Sequence, residues 1–242
     1  MGAITAAIGD AIITCLWVFC ASTFGIIASA LATSLDLQSN QIANICIITS
    51  VIFVFLFIFG FIGSALGGAS FNPSATAAFY AAGVGNDSLL TMAIRLPAQA
   101  AGAVAGVSSL MILLPREYTK EISGPRLKVD LHTGAIAEGV LTFTITFAVL
   151  VIILKGPRNS IVQSFLIAVA TIVHVLAGAG FTGPSMNPAN AFGWAYFHKR
   201  HDSFDHFYVY WICPFVGAML AALVFRVVFP RPKPKKKKQK KA

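Results

Sequence analysis

Long apolar runs separated by short polar connections dominate this chain. Six of them are long enough to cross a bilayer, at roughly residues 5–32, 42–64, 90–114, 133–154, 160–178 and 206–229, because a spanning helix needs about 20 mainly apolar residues. The alternating pattern of a membrane β-barrel is absent. The first run has no basic residues ahead of it and is longer than a signal-peptide core, which predicts a retained helix. Two further apolar segments are too short to span. Each opens at an Asn-Pro pair, in Ala69-Ser70-Phe71-Asn72-Pro73-Ser74-Ala75 and in Gly183-Pro184-Ser185-Met186-Asn187-Pro188-Ala189-Asn190, and each ends in aromatics, Phe79-Tyr80 and Tyr196-Phe197.

The pattern repeats. Asp10 to Thr14 with Phe19 matches Glu138 to Thr142 with Phe147 at an offset of 128, while Asn72-Pro73 matches Asn187-Pro188, and Gly102-Ala103 matches Gly217-Ala218, at an offset of 115. The expected organisation is a first repeat over 1–114, with spans one to three and a half-helix at 72–82, and a connection at 115–132. A second repeat follows over 133–229, with spans four to six and a half-helix at 187–197, and then a basic tail at 230–242. Three spans per repeat is an odd number, so the second repeat is inserted upside down relative to the first. Inverted repeats of this kind bring their interrupted helices together near the midplane.

The Asn-Pro pairs predict how these segments begin. Proline suits the first helical position, where its missing N–H would be unpaired anyway, and asparagine is a favoured N-cap. A helix of about ten residues is about 15 Å long, half the hydrocarbon thickness. Two such helices entering from opposite faces meet N-terminus to N-terminus, each carrying about half a positive charge. That arrangement disfavours a cation at the centre. The amides of Asn72 and Asn187 are left to donate to a passing neutral molecule. The backbone before each half-helix is tolerated at this depth only if it lines a wet cavity or is buried in protein. One Asn-Pro pair alone reads as an ordinary turn; two at matched places in an inverted repeat point to a pore.

Composition agrees with a membrane protein. The 242 residues are 57% hydrophobic and 11% charged, against about 25% charged in soluble domains, and the mean hydropathy is +0.77. The net charge of +9 equals the nine basic residues from Arg226 to Lys241. Such a run could contact nucleic acid, but beside a final span it reads as a topology signal, and no nucleic-acid partner is expected. Positive residues near a membrane end favour the cytosol, so six spans place both termini there. Cys15, Cys20, Cys46 and Cys213 all lie in apolar spans and show neither a disulfide framework nor metal-ligand spacing. No Ser/His/Asp or metal-ligand cluster stands out, so neither catalytic activity nor a cofactor is expected.

These residues resemble the major intrinsic protein family, the aquaporins and glycerol channels, over about residues 5 to 229. The resemblance implies an all-α membrane fold: a right-handed bundle of six transmembrane helices plus two re-entrant half-helices, built as an inverted repeat. It also implies one pore per monomer and a homotetramer. Asn72, Pro73, Ser74, Asn187, Pro188 and Ala189 then form the paired boxes. The family's second constriction falls on Ile52, Val175, Pro184 and Asn190, with Ile52 placed to within a turn. Two features depart from most members: Asn-Pro-Ser in the first box, and Asn190 where an arginine is usual. With the Lys-rich tail they look like the plant small basic intrinsic proteins, first subgroup, a group associated with the endoplasmic reticulum. Two aliphatics, a proline and an amide make an uncharged constriction that rejects small neutral solutes less strongly.

Other residues carry two readings each. Asp10 and Glu138 inside spans are either a proton relay or, as the resemblance favours, carboxylates that brace the re-entrant backbone. His174 is a pH gate or, more simply, a hydrogen-bonded packing residue. Arg95 faces a vestibule or snorkels to the interface. His198-Lys199-Arg200-His201 binds a metal or anion, or forms a solvated loop. Lys238 and Lys240 resemble a dilysine retrieval signal read by coat proteins, against the reading of a lipid-contacting anchor. The leading functional expectation is a passive channel in a lipid bilayer for water and other small neutral solutes, excluding ions and protons. The alternatives are a largely closed-pore structural or regulatory protein, and a glycerol or hydrogen peroxide channel with low water flux.

Overall fold

The computed structural model describes residues 2–85, 87–120 and 122–230. Six helical spans and two half-length helices make up the described chain. Span one is carried by α1 (Ala3–Ala21) and α2 (Phe24–Ser34), span two by α3 (Gln41–Ala65), and the first half-helix is α4 (Pro73–Ala81). Span three is α5 (Leu89–Leu113), followed by the single turn α6 (Arg116–Thr119). Spans four and five are α7 (Leu131–Leu154) and α8 (Ser160–Gly178), and the second half-helix is α9 (Pro188–Phe197). Span six joins the short α10 (Phe204–Phe207), a π turn at Tyr208–Ile212 and α11 (Cys213–Val228).

Two spans are less regular than their hydropathy suggests. Span one breaks at Ser22-Thr23, where both hydroxyls bond back to carbonyls of the preceding turn, Ser22 Oγ to Val18 O and Thr23 Oγ1 to Cys20 O, both at 2.7 Å. Such back-bonding competes with helix continuation. Span six widens to a π turn immediately ahead of Pro214, which has no N–H to donate into the preceding turn.

Several polar residues are buried inside the bundle, and many large apolar residues face outward. Asp10, Gln99, Glu138 and Thr142 are fully buried, while Ile4, Ile8, Ile12 and Leu16 form an exposed apolar stripe along α1. With six apolar helices of spanning length, this is an integral, multi-pass membrane protein.

The two repeats interlock. Within each repeat the first and third spans pack most extensively, α1 on α5 and α7 on α11. Each half-helix then lies against the third span of the other repeat, α9 on α5 and α4 on α11, and α3 packs on α8. Glycines permit this closeness. A Cβ at Gly102 would overlap the Ala11 carbonyl, and one at Gly217 would overlap the Gly139 carbonyl. Small residues at helix crossings let backbones approach in this way.

Candidate functional site

The two Asn-Pro pairs cap their helices, and each also bonds across to the residue that precedes the other pair. Asn72 Oδ1 accepts from the N–H of Ser74 (3.0 Å) and Ala75 (3.4 Å), and Asn187 Oδ1 accepts from Ala189 (3.1 Å) and Asn190 (3.3 Å). The amide nitrogens then cross between repeats: Asn72 Nδ2 donates to Met186 O and Asn187 Nδ2 to Phe71 O, each at 2.9 Å. Every amide has two N–H groups, so one on each asparagine has no protein partner among the described residues. Pro73, Ser74, Pro188 and Ala189 are all buried behind these caps.

The first box differs from the second by one hydroxyl. Ser74 Oγ lies 2.8 Å from Asn72 Oδ1 and 3.3 Å from Met186 O, two acceptors for one proton. Met186 presents that carbonyl from the left-handed region, at φ 49, which is costly for a residue other than glycine.

A buried carboxylate stands behind each box. Glu138 accepts from Thr182 Oγ1 (2.9 Å), Ser185 N (2.8 Å) and Met186 N (3.0 Å). Asp10 accepts from Ser70 N at 2.8 Å, from Gln99 Nε2 at 2.6 Å, and from Arg95 Nε and Nη2 at 2.7 and 2.8 Å. Gln99 Nε2 also reaches Thr76 Oγ1 (3.0 Å), which lies 2.8 Å from Asn72 O. Arg95 does not snorkel to an interface. It is 6% exposed, held by Asp10, by Asp87 (2.8 Å) and by the Gly68 carbonyl (3.1 Å). Sequence reasoning missed this role, and Gln99 with it. The available signal was positional: Arg95 lies 115 residues before Tyr210, whose hydroxyl donates to Thr182 O at 3.1 Å.

The four constriction candidates sit on three helices and a loop. Ile52, on α3, is buried in a cluster with Phe24, Val51, Ala168 and Ile172. Val175 is half-buried on α8, and Pro184 and Asn190 are half-buried on the second re-entrant loop and α9. Asn190 Nδ2 donates to Ser185 Oγ at 3.2 Å. His174 is hydrogen-bonded at both ring nitrogens: Nδ1 donates to Ala170 O at 2.7 Å, and Nε2 lies 2.8 Å from Thr144 Oγ1. In the 198–201 segment His198, Lys199 and Arg200 are exposed. Lys238 and Lys240 lie outside the described residues.

A model of the major intrinsic protein family matches residues 1–225. The chain belongs to that family. It is 56% identical over 235 residues to Aquaporin SIP1-2 of Zea mays, covering 96% of both chains. It is 54% identical over 242 residues to Aquaporin SIP1-1 of Arabidopsis thaliana, covering 100% of both. The SIP1 names agree with the first-subgroup resemblance read from the boxes and the tail. Among solved structures, the aquaglyceroporin from Plasmodium falciparum superposes with a TM-score of 0.69 at 18% identity, covering 95% of this chain and 98% of that one. At that identity the likeness establishes the shared fold.

Proposed function

We propose that the chain is a passive transmembrane channel for water and other small neutral solutes. The observation that carries this reading is the pair of crossed bonds, Asn72 Nδ2 to Met186 O and Asn187 Nδ2 to Phe71 O. They fix both amides at the meeting point of two helix N-termini and leave one N–H on each. A neutral molecule with a lone pair accepts from these donors, and a cation meets two positive helix ends. In this reading Asn72, Pro73, Ser74, Asn187, Pro188 and Ala189 form the paired boxes, with the Asn72 and Asn187 amides as the central donors, and Asp10 and Glu138 brace the re-entrant backbone. Ile52, Val175, Pro184 and Asn190 form an uncharged constriction. The chain is a channel and not an enzyme.

The finer features of the proposal are a homotetramer with one pore per subunit and an endoplasmic-reticulum membrane with both termini cytosolic. They rest on the family resemblance and on the basic tail. Contact of Lys238 and Lys240 with a coat protein belongs to the same reading.

Stopped-flow light scattering on proteoliposomes tests the channel. Expected is osmotic water permeability above that of empty liposomes, with a low activation energy. Permeability at the empty-liposome level, with intact oligomers verified in the same preparation, sinks the proposal. The uncharged constriction favours measuring glycerol and hydrogen peroxide beside water, because it has no fixed cation to narrow the choice.

A further inference from the structure

We infer that Arg95 is a positioning residue for the first Asn-Pro box, acting by ion pairing with Asp10; the assignment rests on the channel reading above. Its guanidinium uses Nε and Nη2 on the two oxygens of Asp10, Oδ2 at 2.7 Å and Oδ1 at 2.8 Å. That is the planar fork geometry in which arginine binds a carboxylate most specifically. Nη2 also donates to Gly68 O, and Nη1 pairs with Asp87, whose side chain is 26% exposed. One buried cation thereby joins α1, the re-entrant loop, and the connection between α4 and α5.

These contacts lead to the box by two routes. Asp10 Oδ1 accepts the Ser70 N–H two residues before Asn72. Arg95 itself holds the carbonyl of Gly68, which with Gly67 forms a turn at φ 87 and 75 that requires glycine. Among the described residues, the second repeat solves the same problem without a cation. At the matching position its Tyr210 hydroxyl holds Thr182 O, and the described partners of Glu138 are a hydroxyl and two backbone N–H groups. The first repeat therefore depends on charge balance in a way the second does not. Removing the guanidinium leaves Asp10 buried among donors with no cation among the described residues.

That difference separates a charge-balancing role from one of filling space. Removing one partner of a buried ion pair strands the other, whereas removing both charges together is often tolerated. The test compares wild type, Arg95→Gln and Asp10→Asn/Arg95→Gln in proteoliposomes, with water permeability normalised to incorporated protein. Expected is a loss of about fivefold or more for Arg95→Gln, and recovery of most of that loss in the double variant. If Arg95→Gln does not assemble, a double variant that assembles and conducts supports the same assignment. The assignment is overturned by an Arg95→Gln channel that conducts like wild type, or by a double variant no better than Arg95→Gln while wild type conducts. Wild type at the empty-liposome level instead overturns the channel reading, and this assignment with it.

Discussion

Asn190 is tied to Ser185: its side-chain amide donates to Ser185 Oγ at 3.2 Å, and Ser185 Oγ in turn donates to Asn187 O at 2.8 Å. An uncharged residue at the proposed constriction is thus part of the hydrogen bonding that shapes the second box. Asn190→Arg places a fixed cation there and lengthens the side chain. It is expected to lower glycerol and hydrogen peroxide permeability several-fold relative to water, because a narrower charged ring rejects neutral solutes more strongly. Paired flux measurements on the same vesicles check this. An unchanged solute-to-water ratio would remove Asn190 from the constriction.

The central amides should dominate conduction. Asn72→Ala removes a cap that accepts from two backbone N–H groups and also the crossed bond to Met186 O. Asn187→Ala does the same on the other side. Each loss of a cap costs about 1 kcal/mol of local stability. Each also removes a proposed central donor, so both variants are expected near the permeability of empty vesicles. Ser74→Ala keeps the cap and the crossed bond and deletes only the hydroxyl, so its effect should stay within about twofold. If Asn72→Ala conducts like wild type in a stopped-flow trace, the central-donor reading fails.

What the sequence disclosed and what it hid follow from how local the chemistry is. Asn72 and Asn187 announce their helices because a cap and a first-turn proline act within three residues. The six spans are legible because hydropathy accumulates over whole helices. Arg95 was not legible: its burial depends on Asp10, 85 positions away, and on the Gly68 carbonyl. Without those partners a cation near a helix end reads as snorkelling. The break at Ser22-Thr23 was hidden for the opposite reason, since apolar residues continue through it on both sides. The left-handed Met186 has no compositional signal, because Glu138 and Asn72 hold its backbone from other segments.

The helix crossings should tolerate no side chain. At Gly102 a Cβ would overlap the Ala11 carbonyl, and at Gly217 the Gly139 carbonyl. Gly102→Ala and Gly217→Ala are each expected to destabilise by about 1–3 kcal/mol through overpacking. Gly60 lies on the exposed side of α3, where an added methyl group would meet nothing within 4 Å, so Gly60→Ala should be neutral or mildly stabilising. Thermal unfolding in detergent separates the three, and equal midpoints would contradict this packing.

Asp130 gives a pH-dependent helix start. It caps α7, accepting the Thr133 N–H at 3.0 Å. Hydrogen bonds from the Thr133 side chain and backbone hold its carboxyl below the ordinary carboxylate range. A group with a depressed folded pKa adds stability above its unfolded pKa and loses it as pH falls through the folded value. The first turn of α7 should therefore be fully protected at neutral pH and fray in acid below the usual carboxylate range. Asp130→Asn, still a good cap, should remove that pH dependence. Amide hydrogen exchange at Thr133 across this range reads both, and identical profiles would exclude the carboxylate as the cause.

Glu138 should be the least replaceable acid in the second repeat. Its two oxygens accept three donors, and two of these, Ser185 N and Met186 N, are backbone groups with no side-chain freedom to turn away. Glu138→Gln keeps the shape but exchanges one acceptor oxygen for an NH2 group that faces a donor. A buried N–H left without an acceptor costs about 1–3 kcal/mol. The strain at Met186 then loses the bond that holds it in place. The expected result is a lower thermal midpoint together with reduced water permeability, because Met186 O is the acceptor that orients the Asn72 amide, a central donor in the proposed channel. A Glu138→Gln protein with the wild-type midpoint and permeability would show that the re-entrant backbone keeps its shape without the carboxylate.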